Sequence, residues 1–288
     1  MNRMRCNILL SLFIVVLLSI GTAFGQEANK ASSGQEKGGD DLRKKAQNPI
    51  ASMYSLPIKT TVDFGAPNGE ALFVNLQPVL PLSVGNWNLV SRFIVPAIVS
   101  VDGYIEGTPE IPSGSPGDER KTGLGDINYS LFFSPADSSG PIWGIGPAIS
   151  MPTASDDQLG SGKWSAGPTA VALWQPKWGT FGSLVAQIWS FEGDGDRADV
   201  SQFLIEPFAS YNLANGWYLV TDMIMTANWK GASGKKWTVP VGGGLGKLFA
   251  IGNQPINANL QSYYMVERPD GAPKWNIVCT FSFLFPKK

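Results

Sequence analysis

The sequence predicts an all-β protein, a single transmembrane antiparallel β-barrel of about twelve strands with short periplasmic turns and longer extracellular loops. Three observations carry this expectation. An export leader stands at the N-terminus, strand-length segments of alternating polarity fill the rest of the chain, and the breaks between them are alternately short and long.

The leader comes first. Arg3 and Arg5 precede a nearly continuous apolar run over residues 8–20, and Ala23-Phe24-Gly25 sets small residues before a cut ahead of Gln26. Residues 1–25 therefore read as a cleaved signal peptide, and the run is short for a membrane span, which needs about 20 residues. The cut removes two of the 22 basic residues and none of the 23 acidic ones, leaving a net charge of −3. That balance excludes a nucleic-acid partner, which wants a basic face. Cys6 leaves with the signal, so Cys279 stands alone and no disulfide framework is available. Residues 26–50 are polar and charged and read as a disordered periplasmic lead-in to a barrel over 51–288.

Twelve strands are expected near 52–63, 70–82, 88–100, 122–134, 141–153, 164–175, 181–191, 200–213, 217–229, 237–249, 256–267 and 275–285. Each approaches the roughly 10 residues that cross a bilayer at a tilt. The alternation is clearest in three of them. Ile127, Tyr129, Leu131 and Phe133 oppose Asp126, Asn128 and Ser130. Ile256, Ala258, Leu260, Tyr264 and Val266 oppose Asn257, Asn259 and Gln261. Trp275, Ile277, Cys279, Phe281, Phe283 and Phe285 oppose Asn276, Thr280 and Ser282. Successive side chains of a strand point to opposite faces, so one face meets lipid and the other a polar interior. Val84-Gly85-Asn86 and Ala214-Asn215-Gly216 are tight turns, whereas 101–121, 154–162 and 192–199 are long polar loops. A soluble sandwich would also alternate, but its outward face would be polar.

Ten Trp sharpen the expectation. Trp87, Trp143, Trp174, Trp178 and Trp217 fall near the tight turns, and Trp164, Trp189, Trp229, Trp237 and Trp275 near the long loops. Two belts of amphipathic rings are what the two membrane interfaces select. The competing reading places these rings in a soluble core.

Several stretches resemble a known family. They are Gly123-Leu124-Gly125-Asp126-Ile127, Phe133-Ser134-Pro135 and Trp143-Gly144-Ile145-Gly146-Pro147, then the run from Leu159-Gly160-Ser161-Gly162-Lys163-Trp164 to Ser165-Ala166-Gly167-Pro168. Trp189-Ser190-Phe191, Arg197-Ala198-Asp199, Trp237-Thr238-Val239-Pro240 and the end Leu284-Phe285-Pro286 complete the set. Over most of 48–288 the chain resembles the outer-membrane transporter-like family named for the meta-pathway of phenol degradation. The resemblance implies a barrel and transport of small solutes, aromatic compounds among them, and carries over no catalytic residues.

The residues themselves argue against enzymatic chemistry. The chain has no His, so a nucleophilic Ser lacks its usual base, and no Gly-x-Ser-x-Gly elbow occurs. Gly160-Ser161-Gly162-Lys163 lacks both the upstream Gly and the following Ser or Thr of a phosphate loop, and reads as a loop entering a strand. Asp194, Asp196 and Asp199 form a weak candidate for a divalent cation, against the plainer reading of a solvated loop. No cofactor is expected.

The lumen is the remaining site. Arg92, Asp126, Asn128, Glu206, Asp222, Asn257, Asn259 and Gln261 are the expected lumen-lining residues, with Lys59 placed less firmly. Charge on the lipid face costs about 2–4 kcal/mol for Lys or Arg at midplane, so the charges turn inward. Inside, they either line a pore or pair into a plug. The expected setting is the cell outer membrane, with lipid, lipopolysaccharide, the barrel-assembly machinery and a small-molecule solute as partners. A non-conducting structural or adhesion barrel is the alternative.

Overall fold

The computed structural model describes residues 33–115, 117–137, 140–231 and 235–286. The signal peptide expected at 1–25 lies outside them, as do residues 26–32 of the lead-in. The chain divides into two units between Leu42 and Arg43.

The described part of the lead-in differs from the expectation. Residues 33–46 form a helix, α1 (Ser33–Ala46). Its composition is poor for burial, but Arg43, Lys44 and Lys45 sit in its last turn, where cations oppose the negative end of the helix dipole. The second unit begins at Arg43, and the chain from there to Met53 is packed with the barrel, as described below.

Fifteen strand segments make one antiparallel sheet among the described residues. They are β1 (Tyr54–Ala66), β2 (Gly69–Leu76), β3 (Val79–Val84), β4 (Trp87–Asp102), β5 (Arg120–Gly123), β6 (Ile127–Pro135), β7 (Ile142–Met151) and β8 (Lys163–Trp174). Then follow β9 (Gly179–Gly193), β10 (Ser201–Asn212), β11 (Trp217–Asp222), β12 (Met225–Asn228), β13 (Trp237–Ile251), β14 (Gln254–Glu267) and β15 (Trp275–Phe285). The pairs β2/β3, β5/β6 and β11/β12 are each one traverse broken in the middle, so fifteen segments make twelve traverses. The first and last close the barrel in a continuous ladder from Tyr54↔Phe285 to Phe64↔Trp275.

Each break lies opposite a proline of the neighbouring strand. Gln77 N–H bonds Pro57 O, Gly125 N–H bonds Pro96 O, and Met223 N–H bonds Pro207 O. Proline returns no N–H to the ladder, so the partner strand loses a bond there and steps out of register. The sequence reading placed single strands at all three traverses and gave no sign of the breaks.

The turns follow their residues. Asn215 at φ 56° and Gly216 at φ 76° form one tight turn, and Gly85 at φ 58° another. Asn and Gly are the residues that tolerate this left-handed backbone.

The outward face is apolar, which separates this barrel from a soluble one. Leu80, Leu82, Val84, Ile145, Leu219, Val241, Leu245, Leu260 and Val266 are all exposed on the wall. Nine of the ten Trp are exposed as well, with Trp237 only half-buried, so the rings do not fill a soluble core. They form two clustered belts. Trp87 meets Trp143 edge-on, and Trp174, Phe181, Trp178 and Tyr211 stack in a row at the short-turn end. Trp229, Trp237 and Phe203 cluster towards the other end, where Phe64 also stacks on Trp275 at 4.2 Å. No helix among the described residues is long and apolar enough to cross a membrane.

Candidate functional site

The site is the lumen, and both of its mouths are filled by chain. At the short-turn end, residues 43–53 turn into the barrel. Ile50, Ala51 and Met53 are buried, and Ile50 packs with Val79, Val90, Phe132, Val171, Leu173 and Leu184 of the inner wall. Gln47 bridges two traverses, its Nε2 donating to Asn212 Oδ1 at 3.0 Å and its Oε1 accepting from Thr180 Oγ1 at 3.0 Å. Gln175 Nε2 donates to Lys44 O at 2.8 Å. Composition misled the reading of this segment because one Ile and one Met among polar residues suffice to anchor it.

At the long-loop end, the loop over 103–119 folds inward. Ile105 and Ile111 pack with Phe73, Val99, Val101 and Leu159. Asn228 Nδ2 donates to Pro112 O at 3.1 Å and Ser113 Oγ at 2.8 Å, fixing the loop to β12. Gly271 N–H donates to Glu106 Oε1 at 3.1 Å, fixing it to the last loop. The tip carries Glu110 into the lumen, where Asn75 Nδ2 donates to its Oε1 at 2.8 Å. Burial pushes the Glu110 carboxyl above its ordinary range, while the Asn75 donor and the charge of Lys59 pull it back down.

Between the two inserts lies a chamber of about 180 Å³. Its lining includes the apolar Ile94, Leu184, Leu204, Ile224, Met265 and Val278. Interleaved with them along the same strands are Lys59, Asp63, Asn75, Arg92, Glu206 and Asp222, and the loop adds Glu110. Four carboxylates face two cations. A second recess towards the short turns is lined by Gln47, Tyr218, Asn257 and Asn259. Lys59, Arg92, Glu206 and Asp222 line both spaces, so these charges form the waist between them.

The waist is tied together. Lys59 Nζ lies 3.7 Å from Asp222 Oδ2, Tyr263 Oη donates to Asp222 Oδ1 at 2.7 Å, and Asp222 N–H donates back to that hydroxyl at 2.8 Å. Below it, Tyr218 Oη donates to Asn257 Oδ1 at 2.7 Å. The Tyr218 ring lies against Gly246, where any side chain would collide with it. Gln261 is buried beside the waist, its Nε2 donating to Asn259 Oδ1 at 3.0 Å.

Of the expected lumen residues, Arg92, Asn128, Glu206 and Asp222 line the chamber, Asn257 and Asn259 line the inner recess, and Gln261 braces the wall between. Asp126 does not line either space. It sits in the break between β5 and β6, where alternation lapses, and accepts from Ala154 N–H, Ser161 N–H and Ser161 Oγ. It holds the loop over 154–162 in place. Asp194, Asp196 and Asp199 do not converge on a metal site: Asp194 Oδ1 caps Asp196 N–H, Asp199 pairs with Lys163 at 3.7 Å, and no metal-sized group of three acidic, His or Cys side chains occurs among the described residues. Asp63, Asn75, Gln202 and Glu110 line the chamber and were not foreseen. An acidic residue in mid-strand was the available signal for Asp63; a loop without periodicity gave none for Glu110.

A family model described as putative MetA-pathway of phenol degradation matches residues 48–281. No curated protein sequence matches. Among solved structures, an outer-membrane channel from Pseudomonas putida F1 is similar at 15% identity and a TM-score of 0.58, over 83% of this chain and 97% of that one. The P. putida toluene transporter is matched at 9% identity and a TM-score of 0.39, over 82% of this chain and 90% of that one. Outer membrane phospholipase A from Escherichia coli is matched at 13% identity and a TM-score of 0.38, over 86% and 98%. The first of these shows the outer-membrane barrel fold; the other two lie too far away to carry an argument.

Proposed function

The chain belongs to the family described as putative MetA-pathway of phenol degradation, and from that premise we propose that it is an outer-membrane channel or transporter for passive movement of small solutes, aromatic compounds among them. One observation carries the reading. A closed barrel holds a chamber of about 180 Å³ in which apolar side chains alternate with polar and charged ones. Cavities of about 150 Å³ accept a benzene ring. The Ile, Leu, Met and Val side chains take such a ring, and the polar groups between them take a substituent on it. The chain has no His to serve an acyl-transfer mechanism, which disfavours an enzyme.

In this reading residues 1–25 direct export, the mature chain starts at Gln26, and the short turns face the periplasm. Its surroundings are outer-membrane lipid and lipopolysaccharide, and its assembly depends on the barrel-assembly machinery. The test is single-channel recording and liposome flux of the refolded protein with benzyl alcohol and benzoate. Solute-dependent flux supports the channel.

A second reading, a structural or adhesion barrel with a plugged lumen, draws support from the insert over 43–53, which occupies the short-turn mouth. That reading requires no flux from the full chain and none after the insert is removed.

A further inference from the structure

The outer half of the chamber holds polar atoms that the barrel does not satisfy. Asn75 is almost fully buried at 1% exposure; its Nδ2 is committed to Glu110, and its Oδ1 has no partner. Asn276 stands opposite Asp63 in the β1–β15 ladder, and its Oδ1 is likewise unpaired. Thr238 Oγ1, buried at 6% exposure, is the third. All three side chains line the chamber with Asp63 and Glu110. Native interiors seldom leave buried acceptors unmatched, because each forfeits its water for nothing in return.

Two amides thus stand beside two carboxylates, Asn75 by its hydrogen bond to Glu110 and Asn276 by its register with Asp63, and each keeps a buried oxygen without a partner. What such a pocket lacks is donors and positive charge. Lys59 supplies positive charge only in part: it reaches Glu110 through space, but its ammonium is engaged with Asp222. We propose that Asp63, Glu110, Asn75, Asn276 and Thr238 form a subsite for the ammonium group of a small organic cation, whose apolar body lies against Met265, Val278 and Ile224. An ammonium offers three donors on a compact charge. A divalent metal fits less well: Ca²⁺ takes 6–8 oxygens in its shell, and the subsite has two carboxylates. The inference rests on the channel reading and names the solute class that its chamber selects.

Equilibrium dialysis of the detergent-folded full chain against benzylammonium, benzyl alcohol and benzoate isolates the substituent, because the ring is constant. Benzylammonium is expected to bind at least tenfold tighter than benzoate. Glu110→Gln should weaken it about tenfold, the scale of one charge-assisted hydrogen bond, and change benzyl alcohol less than twofold. Asp63→Asn, in the wall rather than the loop, should give the same loss, so the result does not depend on the loop's tolerance of one substitution. Heat-modifiable migration on gels certifies the folded barrel in each variant. Benzoate binding as tightly as benzylammonium, or both variants leaving their ratio unchanged, overturns the subsite. Displacement of benzylammonium by micromolar Mg²⁺ overturns it in favour of a metal. Flux of benzyl alcohol without charge ranking defeats the subsite and spares the channel; charge-ranked binding without flux defeats the channel and spares the subsite.

Discussion

Lys59 and Asp222 form an ion pair across the lumen, Nζ to Oδ2 at 3.7 Å, from traverses that three others separate along the wall. Breaking a buried pair costs about 3–5 kcal/mol and an exposed one under about 1 kcal/mol. These side chains are 12% and 25% exposed, so Asp222→Asn is expected to cost about 2 kcal/mol by that interpolation. Thermal unfolding in detergent checks it, and Lys59→Met with Asp222→Leu should recover most of the loss. In a conducting barrel, Asp222→Asn should also shift the reversal potential towards anions.

The insert over 43–53 controls the short-turn mouth. Ile50 is 3% exposed within an apolar cluster, so Ile50→Asp buries a charge without a partner. The segment is expected to leave the mouth and conductance to rise severalfold. Deleting residues 43–50 should do the same. Single-channel recordings decide it, and unchanged conductance in both variants would remove the insert from any gating role.

The loop over 103–119 is expected to hold more tightly in acid. Burial raises the Glu110 carboxyl above its usual value near 4.5, so the folded loop binds the proton better than the open one. Its stability contribution is complete below the ordinary glutamate range and is lost as pH rises through the folded value. The Asn75 donor and the charge of Lys59 oppose the burial and limit how far it moves, and Asp63 lines the same chamber. Protection of the amides over 103–115 and 117–119, relative to their intrinsic exchange rates, should therefore fall from pH 4 upward, and Glu110→Gln should flatten that profile.

Closure depends on the last strand. Phe285 pairs with Tyr54 and is 47% exposed at the outer surface of the ladder. Phe285→Asp places a charge where lipid or interface expects a ring. Outer-membrane yield should fall severalfold by fractionation; an unchanged yield would show that the closing ladder tolerates a charge at its rim.

The wall was legible because its side chains obey a period of two. Arg92, Asn128, Glu206 and Asp222 follow from counting alternate positions along their strand segments. The same count failed at Asp126, because Gly125 answers Pro96 on the neighbouring strand and the traverse breaks there. The inserts were illegible for a different reason. Ile50, Ile105, Ile111 and Glu110 act through contacts distant in the chain, and neither segment has a period to reveal which residues turn inward.

The two Trp belts have an optical consequence. Nearly all the indole rings stand on the outer surface and none lines the chamber, so the protein's ultraviolet emission is governed by the bilayer. Lipids brominated at chosen acyl depths should quench it in two zones, whose separation measures the local membrane thickness. A solute entering the lumen should leave that emission untouched. The barrel thus carries a built-in gauge of the lipid around it that is spectroscopically blind to its own contents.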